Sequence, residues 1–174
     1  MKPSATVVSS ALATGARQAA AGPPRGMGRE WTEALGRVPL FACLPKRQLR
    51  KIARLAEQVR LAAGAPVVYR AQTGREFFVI LDGTALVRTP AGDEQRLEPG
   101  SFFGEMSVID GEPRSAAVRA ESDLVLMMLG RRQFLRLLQD EPSVAIAVMA
   151  ELAGRIRRLE AELGATPRVA RPRT

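Results

Sequence analysis

The sequence predicts a mainly β chain with flanking helices, an α+β domain built on an antiparallel β-roll or jelly-roll. Short β-rich runs recur between Val67 and Leu129, and glycine or proline turn signals separate them. Apolar residues at helical spacing occur only before and after that region. The last helix carries an alternating four- and three-residue seam at Ala145, Met149, Leu152, Ile156, Leu159 and Leu163. A length of 174 residues fits one domain with tails, and 46% hydrophobic residues is enough for a core.

Taken in order, Met1 to Gly28 is rich in Ala, Gly, Pro and Ser and is expected to be a disordered tail. Its apolar character is broken by Ser4, Ser9, Ser10 and Gly15, which argues against a signal peptide. Arg29 to Leu35 can form a short helix carrying Trp31. Pro39-Leu40-Phe41 and Leu44-Pro45 frame a turn, with Pro45 suited to the first turn of the next helix. Cys43 lies in the apolar run Phe41-Ala42-Cys43-Leu44 and reads as a small core residue. Leu49, Ile52, Ala53, Leu55 and Ala56 then recur at helical spacing. Lys46, Arg47, Arg50 and Lys51 fall outside that stripe, as a basic patch or a solvated face.

The expected strands are Val67 to Tyr69, Phe77 to Leu81, Ala85 to Val87, Gln95 to Leu97, Phe102-Phe103, Ser115 to Arg119 and Leu124 to Leu129. Phe77-Phe78-Val79-Ile80-Leu81 is too continuously apolar for a strand wet on one face, so it belongs at the centre. Asp82-Gly83 predicts a hairpin. Arg131 to Leu138 predicts a helix that Gln139 to Pro142 breaks, and a long helix over 143–163 follows with Gly164 as its stop. The expected organisation is a tail over 1–28, a domain over 29–163 and a basic tail over 164–174.

The net charge of +8 sits at the ends. Lys2, Arg17, Arg25 and Arg29 face no acid before residue 30, and Arg168, Arg171 and Arg173 face none after residue 163. Those ends carry seven of the eight net charges, leaving 19 basic and 18 acidic residues over 30–163. Basic ends can touch nucleic acid or acidic proteins weakly, or stay solvated. The chain has no histidine, which excludes histidine acid/base catalysis and histidine metal sites and argues against a cupin enzyme. The single cysteine forms no internal disulfide, which fits a reducing compartment and a cytoplasmic location. No apolar run is long enough to span a membrane.

The residues that carry chemistry lie between Gly100 and Ala120. Pro99-Gly100 marks a turn, and Phe102-Phe103 follows it. Gly104 permits close approach of the backbone, and Glu105 to Ile109 can form about one helical turn before Asp110-Gly111. A helix start at Gly104-Glu105 offers unpaired N–H groups to an anion. Arg114 adds a planar, permanently charged fork suited to phosphate, and Ser115 adds a hydroxyl. A lone phosphate does not call for Glu105; a phosphate joined to a sugar does, because a carboxylate accepts from a ribose hydroxyl.

Phe103-Gly104-Glu105 followed by Pro113-Arg114-Ser115-Ala116 resembles the phosphate-binding cassette of cyclic-nucleotide-binding domains. That family includes the catabolite activator protein, the regulatory subunit of protein kinase A and cyclic-nucleotide-gated channels. The resemblance covers Val38 to Leu163, and the ten-residue step from Gly104 to Arg114 is similar to that of the kinase subunit. It implies that Glu105 to Ile109 is the phosphate-cassette helix. It implies that Phe103, Gly104, Glu105, Met106, Ser107, Arg114, Ser115 and Ala116 bind the ligand. Arg114 would pair with the cyclic phosphate, helped by Ser115 and the N–H groups of Gly104, Met106, Ser107 and Ala116, and Glu105 would accept from the ribose 2′-OH. Where the catabolite activator presents a Thr-Ser pair to adenine, counting from Pro142 places Leu159 and Glu160, so that contact is expected to be absent or replaced. Ser115 suits cAMP and leaves cGMP open.

The expected function is a stand-alone cyclic-nucleotide sensor, cAMP favoured, that changes conformation and signals to a partner protein. No catalytic constellation appears, so no enzyme activity, cofactor or metal is expected. The seam can pack on the β-roll or pair with its copy in a second chain; the resemblance to the catabolite activator, whose equivalent helix is the dimer interface, implies a homodimer through the last helix. Residues 164–174 are too few for a helix-turn-helix, so direct DNA binding is not expected. The competing readings are a dimerisation module with a dead site, in which Glu105 and Arg114 form an internal ion pair, and a nucleic-acid-associated regulator acting through its basic tails.

Overall fold

The structure is a computed structural model that describes residues 18–21, 28–89 and 92–165. Two antiparallel sheets face each other, and helices cover the first. The first sheet has the order β1-β2-β9-β4-β7: Gln18–Ala21, Glu57–Leu61, Leu124–Gly130, Glu76–Asp82 and Phe102–Phe103. The second has the order β3-β8-β5-β6: Pro66–Val68, Ala117–Ala120, Ala85–Arg88 and Glu94–Leu97. The helices are α1 (Gly28–Arg37), α2 (Lys46–Leu55), the short α3 (Glu105–Asp110), α4 (Arg131–Asp140) and α5 (Pro142–Ala165). This is the antiparallel β-roll with flanking helices that the sequence predicts.

The central strand explains its own composition. β4 lies between β9 and β7, and Phe77, Phe78, Val79 and Ile80 are all fully buried. Alternate residues serve two cores. Phe77 and Val79 join Leu35, Phe41, Val108, Phe134 and Val144 under the helices. Phe78 and Ile80 join Val68, Leu97, Phe103 and Val118 between the sheets. Phe77 stacks on Phe134 of α4 at 4.1 Å, and Phe78 stacks on Phe103 of β7 at 5.0 Å. A strand covered on both faces has no reason to alternate apolar with polar.

Several local expectations change. Gln18–Ala21 pairs in register with Arg60 back to Glu57, so part of the expected tail is an edge strand. The remaining tail positions, 1–17, 22–27 and 166–174, lie outside the described residues. Asp82-Gly83 does not close a paired hairpin: β4 belongs to the first sheet and β5 to the second, so the turn carries the chain between sheets. Gly83 has φ +79°, and a Cβ there would meet the Asp123 carbonyl. Cys43 is exposed rather than buried. The 3-10 turn Pro39–Phe41 and its continuation put Phe41 and Leu44, three apart, into the core and leave Ala42 and Cys43 outside. Pro45 caps α2 from outside, with extended backbone, rather than occupying its first turn. Ser115 and Ala116 precede β8 instead of belonging to it, and α5 continues through Gly164 to Ala165.

Candidate functional site

The chain enters the site through β7 and turns at Gly104, whose φ of 85° is left-handed and open to glycine at little cost. α3 runs from Glu105 to Asp110 and is capped by Gly111, also left-handed at φ 82°. Val108 fixes this short helix by entering the core under the helices. On the return, the β3–β4 loop holds the backbone of Arg114. The Arg114 N–H donates to the Gln72 carbonyl, and the Ala71 N–H donates to the Arg114 carbonyl, both at 2.9 Å.

Arg114 is 5% exposed. Its Nη1 donates to the Gly104 carbonyl at 3.0 Å, and its Nη2 donates to the Glu76 carbonyl at 2.7 Å and to Glu76 Oε2 at 3.3 Å. The guanidinium lies 5.8 Å from the centre of the Phe78 ring, within cation–π range. Two glycines make room for it: a Cβ on Gly74 would overlap the guanidinium, and one on Gly104 would come within 2.5 Å of Nη1. Burial pulls the Arg114 pKa down, and the charges of Glu76 and Glu105 oppose that. Nε–H and the second Nη1 hydrogen have no acceptor among the described residues.

Glu105 is more deeply buried, at 1% exposed. Its Oε1 accepts from Nη1 of Arg155 on α5 at 2.7 Å. Arg155 also donates from Nη2 to the Phe102 carbonyl at 3.1 Å and from Nε to Glu151 at 3.2 Å, and it lies 5.7 Å from the Phe102 ring centre. Glu105 Oε2 is buried and accepts no hydrogen bond from the described residues. Burial pushes the Glu105 carboxyl above its ordinary range, and the Arg155 charge pulls it back. The expected alternative of a Glu105–Arg114 ion pair does not form, because each residue has a different protein partner.

All eight residues singled out in the sequence line one cleft: Phe103, Gly104, Glu105, Met106, Ser107, Arg114, Ser115 and Ala116. Ser107 is buried, Met106 is 44% exposed, and the Ser115 hydroxyl points at the Met106 sulfur, 3.8 Å away. The rest of the lining is new. Val68, Val87, Leu97 and Val118 form an apolar wall with Gln95 beside it, and Arg155 is what α5 contributes. Leu159 and Glu160, which counting puts where the catabolite activator has its adenine contact, are exposed and do not line the cleft. Glu76 and Gly74 also escaped sequence reasoning. A glycine before a strand carries no mark of the arginine that it accommodates.

An apolar slot ending in a buried guanidinium, a hydroxyl and a half-satisfied carboxylate suits a ligand with a flat apolar part, a phosphate and a sugar hydroxyl. Residues 58–141 match the family described as Cyclic nucleotide-binding domain. The chain carries a domain of that family. It is 37% identical over 117 residues to a cyclic nucleotide-gated potassium channel of Mesorhizobium japonicum, covering 67% of this chain and 32% of the channel. It is 33% identical over 130 residues to the cyclic AMP receptor protein of Thermus thermophilus, covering 72% of this chain and 60% of that protein. The crystal structure of a cyclic nucleotide-binding domain from Methylobacillus flagellatus superposes with a TM-score of 0.69, covering 88% of this chain and 92% of that one at 22% identity, and supports the fold. The chain thus spans about a third to three fifths of the curated relatives named here. Arg114 and Glu105 lie inside the part that matches the cyclic nucleotide-binding family, and Arg155 lies beyond it on α5.

Glu105 yields a prediction with a definite sign. Its folded pKa is raised, so the folded chain keeps this proton at a pH where the unfolded chain has lost it. The stability it contributes is complete below the ordinary carboxylate range and is lost as pH rises through the raised pKa. Glu105→Gln cannot lose that proton. The melting temperature of Glu105→Gln relative to wild type should therefore climb from acid pH toward neutrality and then level off. A difference that is flat with pH, or that falls, contradicts this placement of the carboxyl.

Proposed function

We propose that the chain is a cyclic-nucleotide sensor, with cAMP favoured, that binds its ligand without transforming it and passes its state to a partner protein. The observation that carries this reading is the pair of unsatisfied groups in one cleft. Among the described residues, Arg114 has guanidinium hydrogens to spare and Glu105 Oε2 is a buried acceptor with no donor. A cyclic phosphate meets the first and a ribose 2′-OH meets the second, while the base lies against Val68, Val87, Leu97 and Val118. A buried unpaired acceptor costs about 1–3 kcal/mol, which a ligand hydroxyl would recover. The cAMP preference draws on Ser115 and on the Thermus relative, which is named a cyclic AMP receptor. The reading is of a cytoplasmic regulator that needs no cofactor and is not an enzyme.

The output route in this proposal is α5. Arg155 joins α5 to Glu105, so a ligand that engages the carboxylate shifts the balance between arrangements of cassette and helix. α5 is also the proposed homodimer surface. The expected seam divides: Leu152 packs against the core, whereas Met149, Ile156, Leu159 and Leu163 are exposed, together with Ile146. An exposed aliphatic stripe of this kind fits a second copy of the same helix.

Calorimetry with cAMP and cGMP tests the first part. Heat with cAMP is expected, and Arg114→Ala should lose about 2–5 kcal/mol of affinity, the usual cost of leaving a desolvated charge unpaired. No heat and no thermal shift with either nucleotide at millimolar concentration rejects it. Sedimentation tests the second part. Wild type should be a dimer at micromolar concentration, and Ile156→Asp with Leu159→Asp should be a monomer that still binds nucleotide. A wild type that is monomeric with and without ligand rejects the dimer.

A further inference from the structure

A second cleft, of about 810 Å3, opens between α2 and α4 and shares no residue with the nucleotide cleft. Arg47, Lys51 and Arg54 project into it from α2, and Arg132 and Arg136 from α4. Asp140 accepts from Lys51 at 2.7 Å and lies 3.7 Å from Arg136, so those two bases are matched internally. Arg47, Arg54 and Arg132 are exposed and have no ion-pair partner among the described residues. A small apolar pit of about 30 Å3, walled by Ile52, Leu55, Leu129 and Leu137, adjoins the basic rim. Leu55 is 47% exposed there, although it continues a core-facing stripe.

Charge decides what can occupy this surface. Residues 1–29 and 164–174 carry bases and no Asp or Glu, so their charge does not complement it. A phosphate polyanion, whether nucleic acid or a lipid surface, would meet Asp140 and Glu141 beside the arginines and would leave the pit uncovered. A polypeptide can place carboxylates on selected bases and still pack one apolar side chain over the pit. We propose that the α2–α4 cleft docks an acidic segment of a partner protein. One apolar side chain packs on exposed Leu55 at the mouth of the pit, and flanking Asp or Glu residues pair with Arg47, Arg54 and Arg132. This names the chemistry of the partner in the signalling reading and rests on that reading for its purpose. The docking itself needs no nucleotide.

The test is selection of a random peptide display library on the full chain, followed by anisotropy titration of the enriched peptides. The expected peptides carry Asp or Glu on both sides of a Leu, Ile, Phe or Trp. Their affinity should fall by roughly tenfold or more for Arg54→Glu with Arg132→Glu, exposed positions whose reversal leaves the core intact. Leu55→Ser should weaken the same peptides. No acidic enrichment, or affinity unchanged in these variants, overturns the proposal. So does a DNA duplex or a phosphatidylserine vesicle that binds this surface more tightly than the peptides and is lost in the same variants. Calorimetry with cAMP on the double variant separates the two readings. Peptide binding lost with cAMP heat intact is the result expected of docking. Wild-type peptide binding with no cAMP heat in any form rejects the nucleotide sensor and keeps the docking surface.

Discussion

A carboxylate that is 1% exposed cannot stand without a matching charge, and Glu105 is that carboxylate. The matching charge comes from α5. Arg155 reaches Glu105 at 2.7 Å, holds the Phe102 carbonyl beside it and lies against the Phe102 ring. A short helix of the cassette and a long helix some fifty positions later are thereby bound by one ion pair. The second buried charge, Arg114, is matched by Glu76 at the start of the central strand. Because each charge has its own partner, the two are not drawn together, and the space between them remains a cleft.

The framework around these charges follows from ordinary packing. β4 is apolar on both faces because helices cover one and the second sheet covers the other. Phe78 and Phe102 serve twice, as core residues and as rings under the two arginines. Arg131 extends the connection. Its Nε donates to the Val108 carbonyl at 2.8 Å and ties the end of α3 to the start of α4, which packs on α5. Displacement of the cassette thus has a physical path to the helices, through polar bonds at the surface of a close-packed core.

Much of this was legible in the sequence because its signals are local. The turn at Gly104, the stop at Gly111 and the fork of Arg114 are set by single residues, and all eight cassette residues line the cleft. The partners were not legible because they are distant. Arg155 stands beside Arg157 and Arg158 in a run of bases, and nothing in the run says which one turns inward. Glu76 reads as the polar start of a strand. The seam on α5 is real as a pattern, yet the pattern does not say that Leu152 faces the core while Met149 and Ile156 face solvent. Cys43 and the Asp82-Gly83 turn failed for a related reason: neighbours in an apolar run, or strands about a turn, are sorted by the tertiary fold rather than by local propensity.

The claim at the centre is that Glu105 Oε2 is the acceptor for a sugar hydroxyl. Calorimetric titration of wild type and Glu105→Gln with cAMP and with 2′-deoxy-cAMP measures it directly. Wild type should discriminate strongly against the deoxy ligand, and Glu105→Gln should lose most of that discrimination while still binding through Arg114. Equal discrimination by both proteins would mean that the hydroxyl is held elsewhere and that the buried carboxylate serves only α5.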